Sequence, residues 1–163
     1  MKRIKFLLVL TFVVFASCSK DEVIDTTPKT QEVKATIDAT SLTNLAGNDA
    51  TSLVTFDGVP AATHTTEAIV GDRIEYKVDT SDPNTIVRFT EYQYASGSRS
   101  LWENGLETVQ NDGDWLVGLR VRQGAISGQE LKFNMKFILE VNGVLQTNKV
   151  YIIDPKIKIK SKR

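Results

Sequence analysis

The chain has 163 residues, with 20 basic and 20 acidic side chains, one Cys, one His and 41% hydrophobic residues. This length suits about one domain, and the composition excludes collagen-like, disordered and disulfide-rich classes of protein. A formal charge of zero argues against nucleic acid as a partner, because phosphate binding needs a clear excess of Lys and Arg.

The first seventeen residues have the pattern of a secretory signal peptide. A basic start precedes an apolar run that is too short to cross a bilayer, and small residues follow it. We therefore expect residues 1–17 to be removed on export. Their removal takes away three basic and no acidic side chains, so the mature chain has 17 basic and 20 acidic residues.

Cys18 directly follows this segment. Residues 15–18, Phe-Ala-Ser-Cys, resemble the lipobox of bacterial lipoproteins. The resemblance implies that Cys18 receives the lipid, becomes the new N-terminus and anchors the chain to a membrane. The alternative is a plain signal peptide that is cut nearby and leaves Cys18 free, which is unusual in an exported protein.

A short polar stretch comes next. Ser19, Lys20, Asp21 and Glu22 resemble the Lys-acidic-acidic export signal that sends some Gram-negative lipoproteins to the outer face of the outer membrane. The resemblance implies that the protein is lipid-anchored in the outer membrane and faces the cell surface. The alternative is that these residues only begin a solvated linker.

Residues 18–31 form the predicted flexible tether, because they are polar, rich in Thr and interrupted by Pro28. Residues 32–163 form the predicted folded domain. From residue 32 onward, apolar and polar residues alternate as in half-buried β-strands. Strands are predicted at 33–39, 53–56, 73–79, 86–94, 115–122 and 130–141, and residues 42–46 suit one helical turn.

Asn142-Gly143 predicts a two-residue type I′ turn between strands at 130–141 and 144–153. A hairpin with this loop length places apolar residues opposite one another on one face. The predicted pairs are Val141 with Val144, Met135 with Val150, and Phe133 with Ile152.

Seven or eight short strands separated by turns predict an all-β fold, a single antiparallel β-sandwich. Residues 70–84 resemble the second strand and following loop of immunoglobulin-like modules of bacterial surface proteins. The resemblance implies an immunoglobulin-like topology. The chain departs from these modules in having no Cys pair between sheets, and it lacks the Trp-x-Phe-Gly-Asp-Gly signature of polycystic-kidney-disease-type modules.

Few residues suit catalysis or metal binding. His64 is the only His, has no Gly-x-Ser-x-Gly motif nearby and is expected to be exposed or at an edge. One His and one lipidated Cys cannot form a zinc site, and P-loop and dinucleotide motifs are missing. Oxygen-rich loops at 79–84 and 111–114 suit Ca²⁺ or ordinary turns. We therefore expect neither enzyme activity nor a cofactor.

Tyr92, Tyr94, Arg99 and Trp102 surround a polar loop. Aromatic rings beside polar side chains suit sugar binding, because the rings pack on C–H groups while the polar groups bind hydroxyls. The alternative is that the rings pack at the strand ends. The sequence names these four residues as a candidate ligand site.

Residues 156–163 carry five positive charges and no negative ones. They suit either contact with anionic head groups or envelope polysaccharide, or a final strand with Ile157 and Ile159 inward and lysines that protect a sheet edge. The whole sequence predicts a lipid-anchored cell-envelope binding or scaffolding protein without catalytic activity, whose partner is an unknown envelope protein or glycan. The alternative is a carbohydrate-binding accessory lipoprotein of a glycan-capture system.

Overall fold

The computed structural model describes residues 24–110 and 117–163. Within these ranges it contains eleven strands: β1 (Thr30–Ile37), β2 (Val54–Phe56), β3 (Val59–Pro60), β4 (Thr66–Ala68), β5 (Arg73–Thr80), β6 (Thr85–Gly97), β7 (Leu106–Gln110), β8 (Val117–Val121), β9 (Glu130–Val141), β10 (Val144–Ile153) and β11 (Lys156–Ile159). A short helix, α1, covers Ala39–Thr43, a 3₁₀ turn covers Thr51–Leu53 and a π-type turn covers Leu101–Gly105. The predicted all-β fold is confirmed.

The strands form two mixed sheets. The first has the order β3-β2-β1-β5-β8-β7, and the second has β10-β9-β11-β4 with β6 on the other side of β9. Antiparallel pairing throughout was the prediction, and it is wrong, because β1 runs parallel to β5 and β11 runs parallel to β4. Parallel neighbours need a long crossover connection, and residues 38–72 supply one between β1 and β5.

The two sheets share one hydrophobic core. Tyr76 of β5 meets Phe133 of β9 with ring centroids 6.0 Å apart, so the contact joins the two sheets. The predicted alternation is confirmed for most of its inward residues, which are buried: Ile74, Tyr76, Leu119, Val121, Leu131, Phe133, Met135, Phe137 and Leu139. Val78 and Val141, predicted on the same face, are only half-buried. Trp115, which was predicted on the same face, lies outside the described residues.

The hairpin of β9 and β10 has its predicted turn and bounds. Asn142 and Gly143 have φ values of 51° and 78°, as a type I′ turn requires, and Val141 pairs with Val144. The pairs predicted farther along are wrong. The register shifts between residues 146 and 151, so that Tyr151 pairs with Phe137, Ile152 with Lys136, and Ile153 with Met135.

The register shift follows from contacts between β10 and the segment after α1. The backbone amide of Ile152 donates to the carbonyl of Asn48, and the Lys149 amine donates to the carbonyl of Leu45. Tyr151 then stacks on Phe137 with 5.3 Å between centroids. The shift leaves residues of β10 between 146 and 151 without their hydrogen bonds to β9. The contacts with the segment after α1 compensate for this loss.

Strand β11 lies inside the second sheet. Ile157 and Ile159 are buried, as predicted, but β11 pairs with β9 on one side and with β4 on the other. The prediction that its lysines protect a sheet edge is therefore wrong. Lys156 and Lys158 instead bind Glu130 of β9, at 2.6 and 2.8 Å.

The parallel strands β1 and β5 give the domain two ends. We call the end at Thr30 and Arg73, where these strands begin, the tether end, and the end at Ile37 and Thr80 the distal end. A strand of eight residues rises roughly 3.3 Å per residue, so the two ends lie roughly 25 Å apart. Strand β6 begins near the end of β5, and its first residue, Thr85, pairs with Val141, so the hairpin turn belongs to the distal end.

Candidate functional site

The predicted lipidation and export residues lie outside the described residues. These are Cys18, Ser19, Lys20, Asp21 and Glu22. Among the described residues, no helix has both the length and the apolarity needed to cross a membrane.

The tether end is organised around the carboxylate of Asp72, which is fully buried. One oxygen accepts from the backbone amide of Lys29 at 2.9 Å and from the guanidinium of Arg163. The other accepts from the Gln31 side chain at 2.7 Å and from the amide of Ile69 at 2.9 Å. One acidic side chain therefore joins the start of β1, the loop before β5 and the last residue of the chain. We call these contacts the Asp72 latch.

The latch keeps the buried carboxylate charged. Burial acts to raise the pKa of Asp72, but the hydrogen bonds from Ile69, Lys29, Arg163 and Gln31 outweigh burial and hold this pKa below its usual value. A carboxylate with four donors is well satisfied, so burying it does not leave an uncompensated charge.

The segment before β1 packs closely on the domain. Gly71 has φ +93°, and a Cβ at this position would lie 2.6 Å from Cγ of Pro28. The backbone amide of Arg163 also donates to the carbonyl of Asp25 at 3.0 Å. Residues 25–31, which the sequence assigns to the tether, are thus held against the domain.

An open cavity of about 310 Å³ lies beside the latch. Four of its lining residues are basic: Lys29, Lys160, Lys162 and Arg163. Lys160 binds Glu67 at 3.1 Å, and Arg163 binds Asp72. Lys29 and Lys162 are exposed and have no ion-pair partner within the described parts of the chain. The cavity therefore presents positive charge at the tether end.

The four predicted ligand-binding residues do come together. Trp102 stacks on Phe133 with 6.4 Å between centroids, and Tyr94 lies 6.3 Å from Trp102. Tyr92 also packs on Phe133, with 5.6 Å between centroids, and Arg99 lies 4.9 Å above the Tyr94 ring. The sequence correctly grouped these side chains, which now form an aromatic cluster on the core residue Phe133.

The rings of this cluster are half-buried and pack on the core. The Tyr92 hydroxyl is buried with no partner among the described residues, and burial, with a smaller effect of Tyr76, raises its pKa well above the ordinary value. The Tyr94 hydroxyl donates to the carbonyl of Gly97 at 2.8 Å, and Arg99 binds Glu103 at 2.6 Å. The polar groups are thus largely occupied within the chain, which suits packing better than sugar binding.

The other sequence candidates have structural partners. His64 is not exposed: its side chain is 12% accessible, its ring lies 5.3 Å from that of Phe56, and burial lowers its pKa although Asp57 opposes the change. Asp82 accepts from the amide of Asn84 and the hydroxyl of Thr85, as in an ordinary turn. Residues 111–114 lie outside the described residues, and within the ranges 24–110 and 117–163 no three metal-binding side chains gather.

The distal end carries three exposed hydrophobic side chains that the sequence analysis did not single out. Ile86, Val144 and Leu145 are 45, 60 and 44% exposed. Ile86 of β6 and Leu145 of β10 both pair with Glu140 of β9, so they flank Glu140 on one face of the second sheet, whereas Val144 points to the other face at the same end. The available signal was the apolar pair directly after the Asn-Gly turn, where period-two alternation breaks. We call these three residues the distal patch.

No protein-family model and no curated protein sequence matches the chain. Among solved structures, the chain is similar to the inclusion body protein PixA from Burkholderia cenocepacia, with a TM-score of 0.56 and 9% identity over 83% of this chain and 97% of that one. It also aligns with a histidine-to-methionine variant of rusticyanin, with a TM-score of 0.33 and 15% identity over 82% and 80% of the two chains. The first likeness indicates a common fold and nothing more, and the second is too weak to support an argument.

Proposed function

We propose that the chain is an outer-membrane lipoprotein, anchored through Cys18, that binds or scaffolds an envelope protein without catalysing a reaction. The observation that carries this proposal is that the anchor segment and the distal patch lie at opposite ends of the domain. The segment that leads back to Cys18 leaves from the tether end, and the distal patch lies at the opposite end. An anchor at one end leaves the other free to meet a partner.

The distal patch is the surface that best suits such a partner. Ile86 and Leu145 lie on one face there, on either side of Glu140, which binds Arg88 at 2.7 Å, and Val144 is exposed on the other face. Exposed apolar groups rimmed by polar ones are typical of protein-binding surfaces. The aromatic cluster supports the alternative of glycan capture less well, because its rings pack on Phe133.

For the architecture we propose an immunoglobulin-like β-sandwich. Two sheets on one core, with ring contacts such as that of Tyr76 with Phe133 across them, support the sandwich. The parallel pairs of β1 with β5 and of β11 with β4 make it a variant of that arrangement.

Labelling of the full-length protein with palmitate in a Gram-negative host tests the anchor. We expect the native chain to incorporate the label and to fractionate with the outer membrane. Cys18→Ala should abolish incorporation, whereas Ser17→Ala, which keeps a small residue before the Cys, should retain it. Labelling that persists in Cys18→Ala overturns the proposal.

A further inference from the structure

We propose that the tether end binds the anionic head groups of the membrane that holds the lipid, through Lys29 and Lys162, and so fixes the orientation of the domain. This inference rests on the proposed function, because it takes Cys18 as the anchor.

The chain between the anchor and the docked part of the domain is short. Residue 25 is already docked, since its carbonyl accepts from the amide of Arg163. Seven residue steps separate it from Cys18, and an extended chain covers at most about 3.6 Å per step, so the span is at most about 25 Å. The tether end therefore stays close to the lipid surface, whereas a free tether of residues 18–31 would reach about twice as far.

The charges around the cavity are mostly paired. Among the described residues, three carboxylates near the cavity have partners: Asp72 in the latch, Glu67 with Lys160, and Asp25 with the amide of Thr27. Asp25 also has its pKa lowered, first by its hydrogen bonds to Thr27 and then by Arg163 and Lys29.

Two cations that line the cavity point to an anionic ligand. Lys29 and Lys162 line the same cavity, and neither has an ion-pair partner in the described ranges. Because the latch already fixes the backbone of Lys29, little further backbone entropy is lost when Lys29 binds an anion.

The net charge of the rest of the chain does not favour an anionic surface. The mature protein has 17 basic and 20 acidic side chains, so an anionic surface does not attract it as a whole. Attraction must come from a local excess of cations. These cations must lie within a Debye length of the lipid surface, which is about 8–10 Å at physiological salt. Among the described residues around the cavity, four basic side chains stand against three carboxylates, which is a local excess of one positive charge, and they lie where the tether places the lipid.

Binding to vesicles tests the inference without the lipid anchor. The probe is the mature chain from residue 18 carrying Cys18→Ser, mixed with vesicles of phosphatidylcholine alone or with phosphatidylglycerol. We expect association with the phosphatidylglycerol vesicles only, and association that weakens as salt rises. Each lysine near an anionic surface contributes about fivefold in affinity, so Lys29→Gln/Lys162→Gln should weaken binding about twenty-fivefold.

The matched control changes the same charge elsewhere. Lys34 and Lys77 are exposed on the strands β1 and β5, away from the tether end, and Lys34→Gln/Lys77→Gln should change binding less than about twofold. Circular dichroism and urea midpoints should match the native chain in Lys29→Gln/Lys162→Gln, because neither side chain has an ion-pair partner within the described ranges. In the control, loss of the exposed pair of Lys77 with Glu32 should lower the urea midpoint only slightly. Equal losses in the two variants, or no binding to phosphatidylglycerol vesicles, overturn the inference.

Two further outcomes separate this inference from the proposed function. Binding to an anionic polysaccharide in place of the vesicles contradicts the inference, but leaves the palmitate labelling of Cys18 unaffected. A failure of palmitate labelling contradicts the anchor, but leaves the vesicle result of the unlipidated chain standing as a measured property of the tether end.

Discussion

Arg163, the last residue of the chain, donates a hydrogen bond to the buried carboxylate of Asp72, 91 residues earlier. The same carboxylate holds the amide of Lys29, so a single side chain connects the segment before β1 to the C-terminal segment. The connection makes the tether end a defined surface, on which both the proposed anchor geometry and the proposed lipid contact depend.

Asp72→Asn should destabilise the fold by about 2–3 kcal/mol. The amide oxygen can still accept hydrogen bonds, but Arg163 loses its charge partner, and the new NH₂ group faces donors of the latch. Urea denaturation of the mature chain measures the change. Asp79→Asn is the matched control, since Asp79 is exposed near the distal end of β5 and should cost less than about 0.5 kcal/mol. Similar losses in the two variants would show that the latch contributes little.

Gly71→Ala should release the segment before β1, because the new Cβ would lie 2.6 Å from Pro28. Hydrogen exchange at residues 29–31 should therefore become faster. Gly143→Ala is the control: its φ of +78° imposes a similar backbone strain of roughly 1 kcal/mol, but no described atom lies within 4 Å of the new Cβ. Unchanged exchange at residues 29–31 in Gly71→Ala would contradict the close packing of this segment.

Tyr92→Phe should stabilise the fold by roughly 1 kcal/mol, because it removes a buried hydroxyl that has no partner among the described residues. Tyr94→Phe should destabilise it by roughly 1 kcal/mol, since that hydroxyl donates to the carbonyl of Gly97. Thermal or urea unfolding distinguishes the two. Opposite signs support the packing role of the aromatic cluster, and a loss of stability in Tyr92→Phe argues against it.

Glu130 should give the fold a measurable dependence on pH. Lys156 and then Lys158 lower the pKa of this carboxyl from 4.5 to about 2. A lowered pKa means that the pair stabilises the fold fully above about pH 4.5 and that this contribution is lost as the pH falls toward 2. The stability difference between the native chain and Glu130→Gln should therefore shrink over this range in urea titrations. A difference that stays constant would mean that the ion pairs contribute nothing.

The parts of the fold that depend on local sequence could be predicted. The Asn142-Gly143 pair specified the hairpin and its bounds, and alternation along β9 specified which residues are buried. The parallel pairing of β1 with β5 could not be predicted in this way, because it depends on how residues 38–72 cross the domain. The shift in β10 was missed for a similar reason, since it depends on backbone contacts with residues 45–50.

In the candidate site too, features set by residues close in sequence could be predicted, and features set by distant residues could not. Tyr92, Tyr94 and Trp102 were grouped correctly, because they are near one another in sequence, but their degree of burial is set by Phe133 on another strand. The Asp72 latch had no sequence signal, since Val70-Gly71-Asp72 has the composition of an ordinary turn and Arg163 lies far along the chain.

Energy transfer in vesicles tests most directly whether the tether end faces the membrane. The lipidated protein is labelled with a donor fluorophore at Ser161→Cys or at Leu145→Cys, and the vesicles carry acceptors on their head groups. The two ends of the domain lie roughly 25 Å apart, so transfer should be strong from position 161 and much weaker from position 145. Equal transfer from both positions, or stronger transfer from position 145, would contradict the proposal that the tether end faces the membrane.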